Sequence, residues 1–350
     1  MEAPSSPVVV KPERNKRAGV YYAVTDQGLE LPVLDVTHPA FAVSLNEVEQ
    51  RDRVAAFMRE ATAFAKLPKF VRGPLLRFLL RGSVLGRALG AARSSFLGGL
   101  DTYLLKLGPE NLGDSYAKPI DKKIAAGLPS FALRLRVVDL AGLLAGAARV
   151  ALAAAPPERP LHLLDIAGGS AITSLNALML LHRESAPLLA GRHVRIGVLD
   201  LDTAGPRFGA RALAALSTPG APLAGVDARF ERVHYDWSNP TELVPVLEEA
   251  RARGAVTLAA SEGGLFEYGS DDEIVSNLET LRAGVGPGFA MVGSVTRADE
   301  PMQRMRRYSD VPTRPRGLPV FRALIERAGF RLTNVIERPF SDHVTLVPRT

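Results

Sequence analysis

The stretch from Leu161 to Ser174 constrains the fold more than any other part of this 350-residue chain. An apolar run carries Asp165 near its end, turns through Ala167, Gly168 and Gly169, and feeds a helix expected from Ile172 to His182. Strand, tight glycine turn and helix N-terminus together place backbone N–H groups where they can face a ligand. Glycine is needed there because a Cβ would hold the ligand away from the main chain. A nucleotide-type cofactor is therefore expected, and the other strand ends must say which.

Three later segments narrow the choice. Val194–Asp202 is a second buried strand ending in acid, with Asp200 and Asp202 as alternatives for accepting the hydroxyls of a ribose. Phe230–Trp237 is a third, closing on His234, Tyr235, Asp236 and Trp237. Val256–Tyr268 is a fourth, opening through Ser261, Glu262, Gly263 and Gly264 into Phe266, Glu267 and Tyr268. Acid at successive strand ends, with no G-x-x-x-x-G-K-[ST] run anywhere, disfavours a phosphate-rich ligand and favours a cationic nucleoside. A nucleotide-free α/β domain with a chance Gly-Gly turn is the plainer alternative.

In this order the segments resemble the class I S-adenosylmethionine-dependent methyltransferases, over roughly residues 155–347. The turn departs from the usual G-x-G-x-G: Ala167 and Ala171 replace the outer glycines, and only the central Gly169 remains. The resemblance implies a Rossmann-like α/β fold, a mostly parallel sheet with a terminal antiparallel strand, and S-adenosylmethionine as cofactor. It implies that Asp165, Ala167, Gly168 and Gly169 line the methionine side, that Asp200 takes the ribose, and that Asp236 takes the adenine amine. Trp237 joins the cofactor set, and Ser261, Glu262 and Gly263 fall beside the transferred methyl. The implied activity is methyl transfer to oxygen or nitrogen of a small molecule, in a bacterial-type secondary pathway. Some proteins of this fold instead cyclise the cofactor's aminobutyrate arm to azetidine-2-carboxylate, releasing methylthioadenosine. A non-catalytic cofactor-binding module is a third possibility.

Transfer at a sulfonium carbon is helped mainly by holding nucleophile and methyl in line. A base is needed only when the acceptor starts protonated. His234, Glu262 and Glu267 are the candidate bases, and Tyr235 and Tyr116 complete the candidate catalytic set. Ring faces attract a cation, which makes Tyr235, Trp237, Phe266 and Tyr268 candidates for contact with the sulfonium.

Composition excludes several other classes. With no cysteine there is no disulfide, thiolate nucleophile, iron–sulfur cluster or cysteine zinc site. The six histidines are scattered, H-E-x-x-H is missing, and so is G-x-S-x-G, so neither a metal site nor a serine hydrolase is expected. A net charge of +6 and a pI near 9.7 invite a nucleic-acid partner. The excess is scattered arginine without interleaved aromatics, so it is read instead as serving an anionic or carrier-linked small molecule. Residues 140–155, rich in Ala, Gly and Leu, carry Arg149 and fall short of the ~20 residues a membrane span requires. No secretory signal opens the chain, so a cytoplasmic protein is expected; a homodimer is left open.

Three regions are expected. Residues 1–19 read as a disordered leader, 20–155 as a mainly helical lid or substrate region, and 156–350 as the cofactor domain. Within the second, a hairpin or extended arm over 20–43 precedes a helical pattern over 45–107, with its second and third helices at 69–81 and 84–96. The polar stretch 108–121, containing Tyr116, reads as a loop able to fold over the cofactor. In the third, the basic run 297–316 is a candidate rim for the substrate entrance.

Overall fold

The computed structural model describes residues 10–65, 82–86, 98–113, 118–306 and 313–349. The helix expected over 69–81, most of that over 84–96, and Tyr116 lie outside the described residues.

After residue 160 strands and helices alternate as their patterns require. β3 (Leu161–Ile166), β4 (Val194–Leu199), β5 (Ala228–Val233), β6 (Val256–Ser261) and β7 (Met291–Thr296) run parallel. β9 (Ser341–Pro348) is antiparallel to β7 and to β8 (Phe330–Glu337), and the sheet order is β5-β4-β3-β6-β7-β9-β8. β3, β6 and β7 are buried at every residue, as strands covered on both faces must be. The chain winds outward from β3 to β5, then returns to β6 and continues the other way. Strand order therefore reverses at β3/β6, and ligands of open α/β sheets bind outside the carboxyl ends of the strands at such a point. The expected mostly parallel Rossmann-like sheet with one antiparallel strand is observed.

The helices of this half are α5 (Ile172–Ser185), α6 (Ala204–Leu216), α7 (Leu243–Ala252), α8 (Leu265–Tyr268), α9 (Asp271–Gly284), α10 (Glu300–Arg306) and α11 (Gly317–Arg327). α9 starts in a capping box in which Ser270 and Glu273 each satisfy the other's backbone N–H. Gly329, at φ +80°, closes α11.

The region before residue 156 is built into the same core. β1 (Tyr22–Val24) and β2 (Glu30–Pro32) form the expected hairpin. α1 (Glu47–Ala65), α2 (Gly99–Leu107), α3 (Pro119–Ala126) and α4 (Leu128–Ala153) follow. One hydrophobic cluster takes in Leu31, Val33, Tyr103, Leu104 and Leu140 together with Leu163, Ile196, Leu178 and Phe208. The expected division at 155/156 runs through that cluster. The Tyr103 hydroxyl donates to the Pro32 carbonyl at 2.6 Å and accepts from Leu34 N–H at 2.8 Å. Asn176 does the same from α5, donating to Leu34 O and accepting from Val36 N–H. Residues 10–19 are held rather than loose: Lys11 pairs with Gly28 and Glu30 through its backbone, and Arg17 donates to the Asn111 side chain at 2.8 Å.

One expectation for the middle of the chain is corrected. Beyond 118 the polar stretch is helical, because Pro119 and Pro129 each sit in the first turn of a helix, where a missing N–H costs nothing. α4 is apolar nearly all round, with Phe131, Leu135, Val137, Leu140 and Leu144 buried, which is the pattern of a core helix. No helix among the described residues is long and apolar enough to cross a membrane.

Candidate active site

A cavity of about 520 Å³ opens at the carboxyl ends of β3, β4 and β6, beside the residues that follow β5. Its floor is the turn at Ala167–Ser170, one wall is Leu199–Asp202, and another is Glu262–Gly264 with Glu267 and Tyr268. Tyr235 and Trp237 complete that side. The cover comes from the N-terminal half: Gly98, Gly99, Thr102 and Lys106 at α2, Leu133 and Arg136 from α4.

The turn keeps its backbone despite its altered sequence. Ala167 and Ala171 both stand at φ +51°, and Gly169 at +53°. The two alanines thus occupy the left-handed region that the usual glycines favour, at roughly 1–2 kcal/mol each. Gly99 explains why Gly169 stays bare. A Cβ on Gly169 would meet the Gly99 Cα at 3.0 Å, and one on Gly99 would meet the Gly169 Cα at 2.8 Å. The cover helix rests directly on the turn, so close approach here is first of backbone to backbone.

The two acids after β4 have separate tasks. Asp202 accepts from Thr203 N–H at 2.7 Å and from the N–H groups of Ala204, Gly205 and Gly99 at 3.1 Å. It caps α6 and fastens α2 to the turn. Against its burial, those N–H groups hold its carboxyl below the usual range. Among the described residues Asp200 accepts from Gly169 N–H at 2.9 Å and Asp202 N–H at 2.8 Å, so each of its oxygens keeps a lone pair. Burial, with Asp202 adding, raises its carboxyl. Arg232 grips this loop from β5, donating to the carbonyls of Asp202, Asp200 and Leu201.

Two buried ion pairs tie the cover to the β6 side. Lys106 Nζ lies 2.7 Å from Glu262 Oε1, while Thr173 donates to Glu262 Oε2 at 2.8 Å. Arg136 lies 2.5 Å from Glu267 Oε1 and donates to the Glu262 carbonyl at 3.0 Å. Beneath them Asp165 is buried with Oδ2 unbonded. Burial, with Glu262 nearby, pushes its carboxyl up to about 7, while Ser174 and Lys106 pull the other way. Ser261 is also fully buried, its hydroxyl without a partner among the described residues.

Of the residues named from sequence, the cavity gathers Ala167, Gly168, Gly169, Asp200, Asp202, Tyr235, Trp237, Glu262, Gly263, Glu267 and Tyr268. Asp165 and Ser261 lie behind its wall. Tyr235 is 2% exposed, its phenol raised by burial, and its hydroxyl bonds Asn277 of α9. His234 and Asp236 are not brought in. His234 is exposed beside Arg232, on the opposite side of its strand from Tyr235, and Asp236 folds back to accept from Ser238 N–H at 2.9 Å. The described parts of the 108–121 stretch, 108–113 and 118–121, do not line the cavity either. Asn111 donates to the carbonyls of Ala40 and Leu107, and Lys118 to that of Gly82, so both ends are held away from the cavity. The described part of 297–316 is likewise occupied elsewhere: Arg316 binds Asp271 and the Phe266 carbonyl, and Arg297 binds Asp299 and Asp342.

Lys106, Arg136 and Gly99 were not legible as site residues. Cations inside apolar runs, Lys106 in Leu104–Leu107 and Arg134 and Arg136 in Leu133–Val137, were the available signal, since a buried charge needs a partner.

No family model matches the sequence, and no curated protein matches it. Solved structures do. A possible exported protein from Bordetella parapertussis is 17% identical, with 88% of this chain and 100% of that chain covered and a TM-score of 0.55. An O-methyltransferase family protein from Burkholderia thailandensis is 12% identical, over 67% of this chain and 61% of that one, at a TM-score of 0.41. Human N-acetylserotonin methyltransferase, solved with SAM, is 15% identical over 63% and 56%, at 0.35. At such identities likeness is one of fold. By its strand order, with the turn at the switch point, the chain has a Rossmann-like α/β fold.

Proposed function

We propose that the protein is an S-adenosylmethionine-dependent enzyme that methylates oxygen or nitrogen of a small molecule. One observation carries this: the switch-point cavity is lined by four carboxylates (Asp200, Asp202, Glu262, Glu267) against two cations (Lys106, Arg136). Both cations are committed to glutamates, so the cavity is net negative and suits a cationic nucleoside. The residues present fit the cofactor: Asp200 has spare acceptor capacity for ribose hydroxyls, and Trp237 offers a ring beside it. Bound there, the cofactor supplies an electrophilic methyl group.

The chain's own part is to hold the acceptor in line, exclude water and take a proton. Lys106 and Arg136 close the cavity by tying α2 and α4 to Glu262 and Glu267. Glu262 uses both oxygens within the wall, which leaves it a positioning role. Glu267 is the base in this reading, because it lines the cavity and Arg136 fixes its carboxylate through Oε1. The excess of positive charge on the chain suits an acceptor bearing an acid group, and the expected site of action is the cytoplasm.

Incubation with S-adenosylmethionine, alone and with candidate phenols and amines, followed by mass analysis, tests the proposal. S-adenosylhomocysteine formed only with an acceptor supports it. Methylthioadenosine formed without one would replace methyl transfer by cyclisation. No binding by calorimetry would sink both.

A further inference from the structure

A second concavity, of about 690 Å³, opens at the opposite, N-terminal ends of β3, β4 and β5, beside the end of α7. Parallel register sets His162, Arg195 and Arg229 in one row across these strands, with Leu164, Gly197 and Glu231 in the row two residues on. Strand alternation puts both rows on one face. Gly197 leaves that face bare: a Cβ there would stand 3.0 Å from His162 Nε2, so the imidazole lies over glycine backbone.

His162 is 3% exposed, and among the described residues its buried Nε2 has no hydrogen-bond partner. A buried polar atom left without a partner is uncommon in folded proteins and calls for a reason. Burial, with Arg195 adding, lowers its pKa to about 4, so the ring is neutral and carries one donor and one acceptor.

The charges around it are nearly all spoken for. Arg195 binds Glu231 and, at 2.8 Å, Glu249; Arg253 shares Glu249, and His193 faces Asp227. Among the described residues Arg229 has neither an ion pair nor a hydrogen bond, and it is exposed. The cavity thus offers one uncommitted guanidinium, one neutral imidazole, and the carbon stems of Arg195 and Arg253.

We propose that this cavity is a second ligand site that takes a small aromatic carboxylate. The acid group pairs with Arg229, His162 Nε2 supplies a hydrogen bond, and the ring lies against the arginine stems, whose guanidinium planes stack on aromatic faces. The site is set about 20 Å from the turn at Ala167 by the length of a six-residue strand. Its occupant is therefore an effector or a stored ligand rather than a reacting molecule, and this holds whatever reaction the other cavity performs.

Benzoate is the probe, titrated into protein carrying ¹⁵N-labelled histidine, with benzamide as its uncharged counterpart. Benzoate should move the resonance that His162→Phe removes. Arg229→Gln, a change at an exposed position, should weaken its binding at least tenfold, and benzamide should bind at least tenfold more weakly. Saturating S-adenosylmethionine should leave benzoate affinity unchanged. No response of the His162 resonance, equal affinity in Arg229→Gln, or displacement by S-adenosylmethionine would each overturn the proposal.

Discussion

Asp200 and Asp202 stand two residues apart after β4, and replacing each should fail in a different assay. Asp202 carries four backbone N–H groups, three at the start of α6 and one from Gly99 of α2. Losing a helix cap costs about 0.5–2 kcal/mol, and a bond to a charged acceptor about 1.5–3. The site is half exposed, so Asp202→Ala should lower stability by about 2–3 kcal/mol in urea denaturation at pH 7. Its carboxyl is held low in the folded state, so this stability is present above the unfolded value near 4 and is lost as pH falls through the folded pKa. The acid limb of the stability profile should therefore flatten in the variant. Asp200 has the opposite sign. Burial raises its pKa, so its contribution is present at low pH and is lost as pH rises through the folded value. Asp200→Asn relieves that buried charge while giving up one backbone bond, and stability should change by less than about 1 kcal/mol. Calorimetric affinity for S-adenosylmethionine should nonetheless fall about 10- to 150-fold, the range of a hydrogen bond to a charged group. An Asp202→Ala protein of normal stability, or an Asp200→Asn protein of normal affinity, would refute the division of labour.

Other outcomes follow from single contacts. Gly99→Ala should cost about 1–3 kcal/mol and weaken cofactor binding, because its methyl meets two glycine backbones, whereas Gly142→Ala on α4, with open space around it, should stabilise by about 0.5–1 kcal/mol; thermal melts compare them directly. Lys106→Met strands Glu262 in a buried wall and should cost about 3–5 kcal/mol, part of which Lys106→Met/Glu262→Gln should restore in the same denaturation assay. His162 has a folded pKa of about 4, below its ordinary 6.5, so its share of stability is complete above 6.5 and falls as pH drops toward 4. Over that window His162→Phe should be less acid-sensitive than the parent by about 3 kcal/mol, read from urea midpoints.

The fold was legible because it rests on local signals. Apolar runs of strand length, acids closing them, and Gly168-Gly169 before a helix are chemistry within a few residues of itself. They determined the alternation of strand and helix, the antiparallel end of the sheet, and the cofactor class to be tested. Periodicity was weak over α4, where apolar residues spread round most of the helix and Arg136 and Asp139 are themselves buried, so no continuous polar face marks it. What covers the cavity was decided by packing between distant segments: Lys106 meets Glu262, Arg136 meets Glu267, and Gly99 lies on Gly169. Asp200 and Asp202 look equivalent in sequence. Tertiary structure alone turned one toward backbone donors on two helices and left the other with lone pairs at the cavity, because each carboxylate's role is set by which N–H groups the fold brings to it.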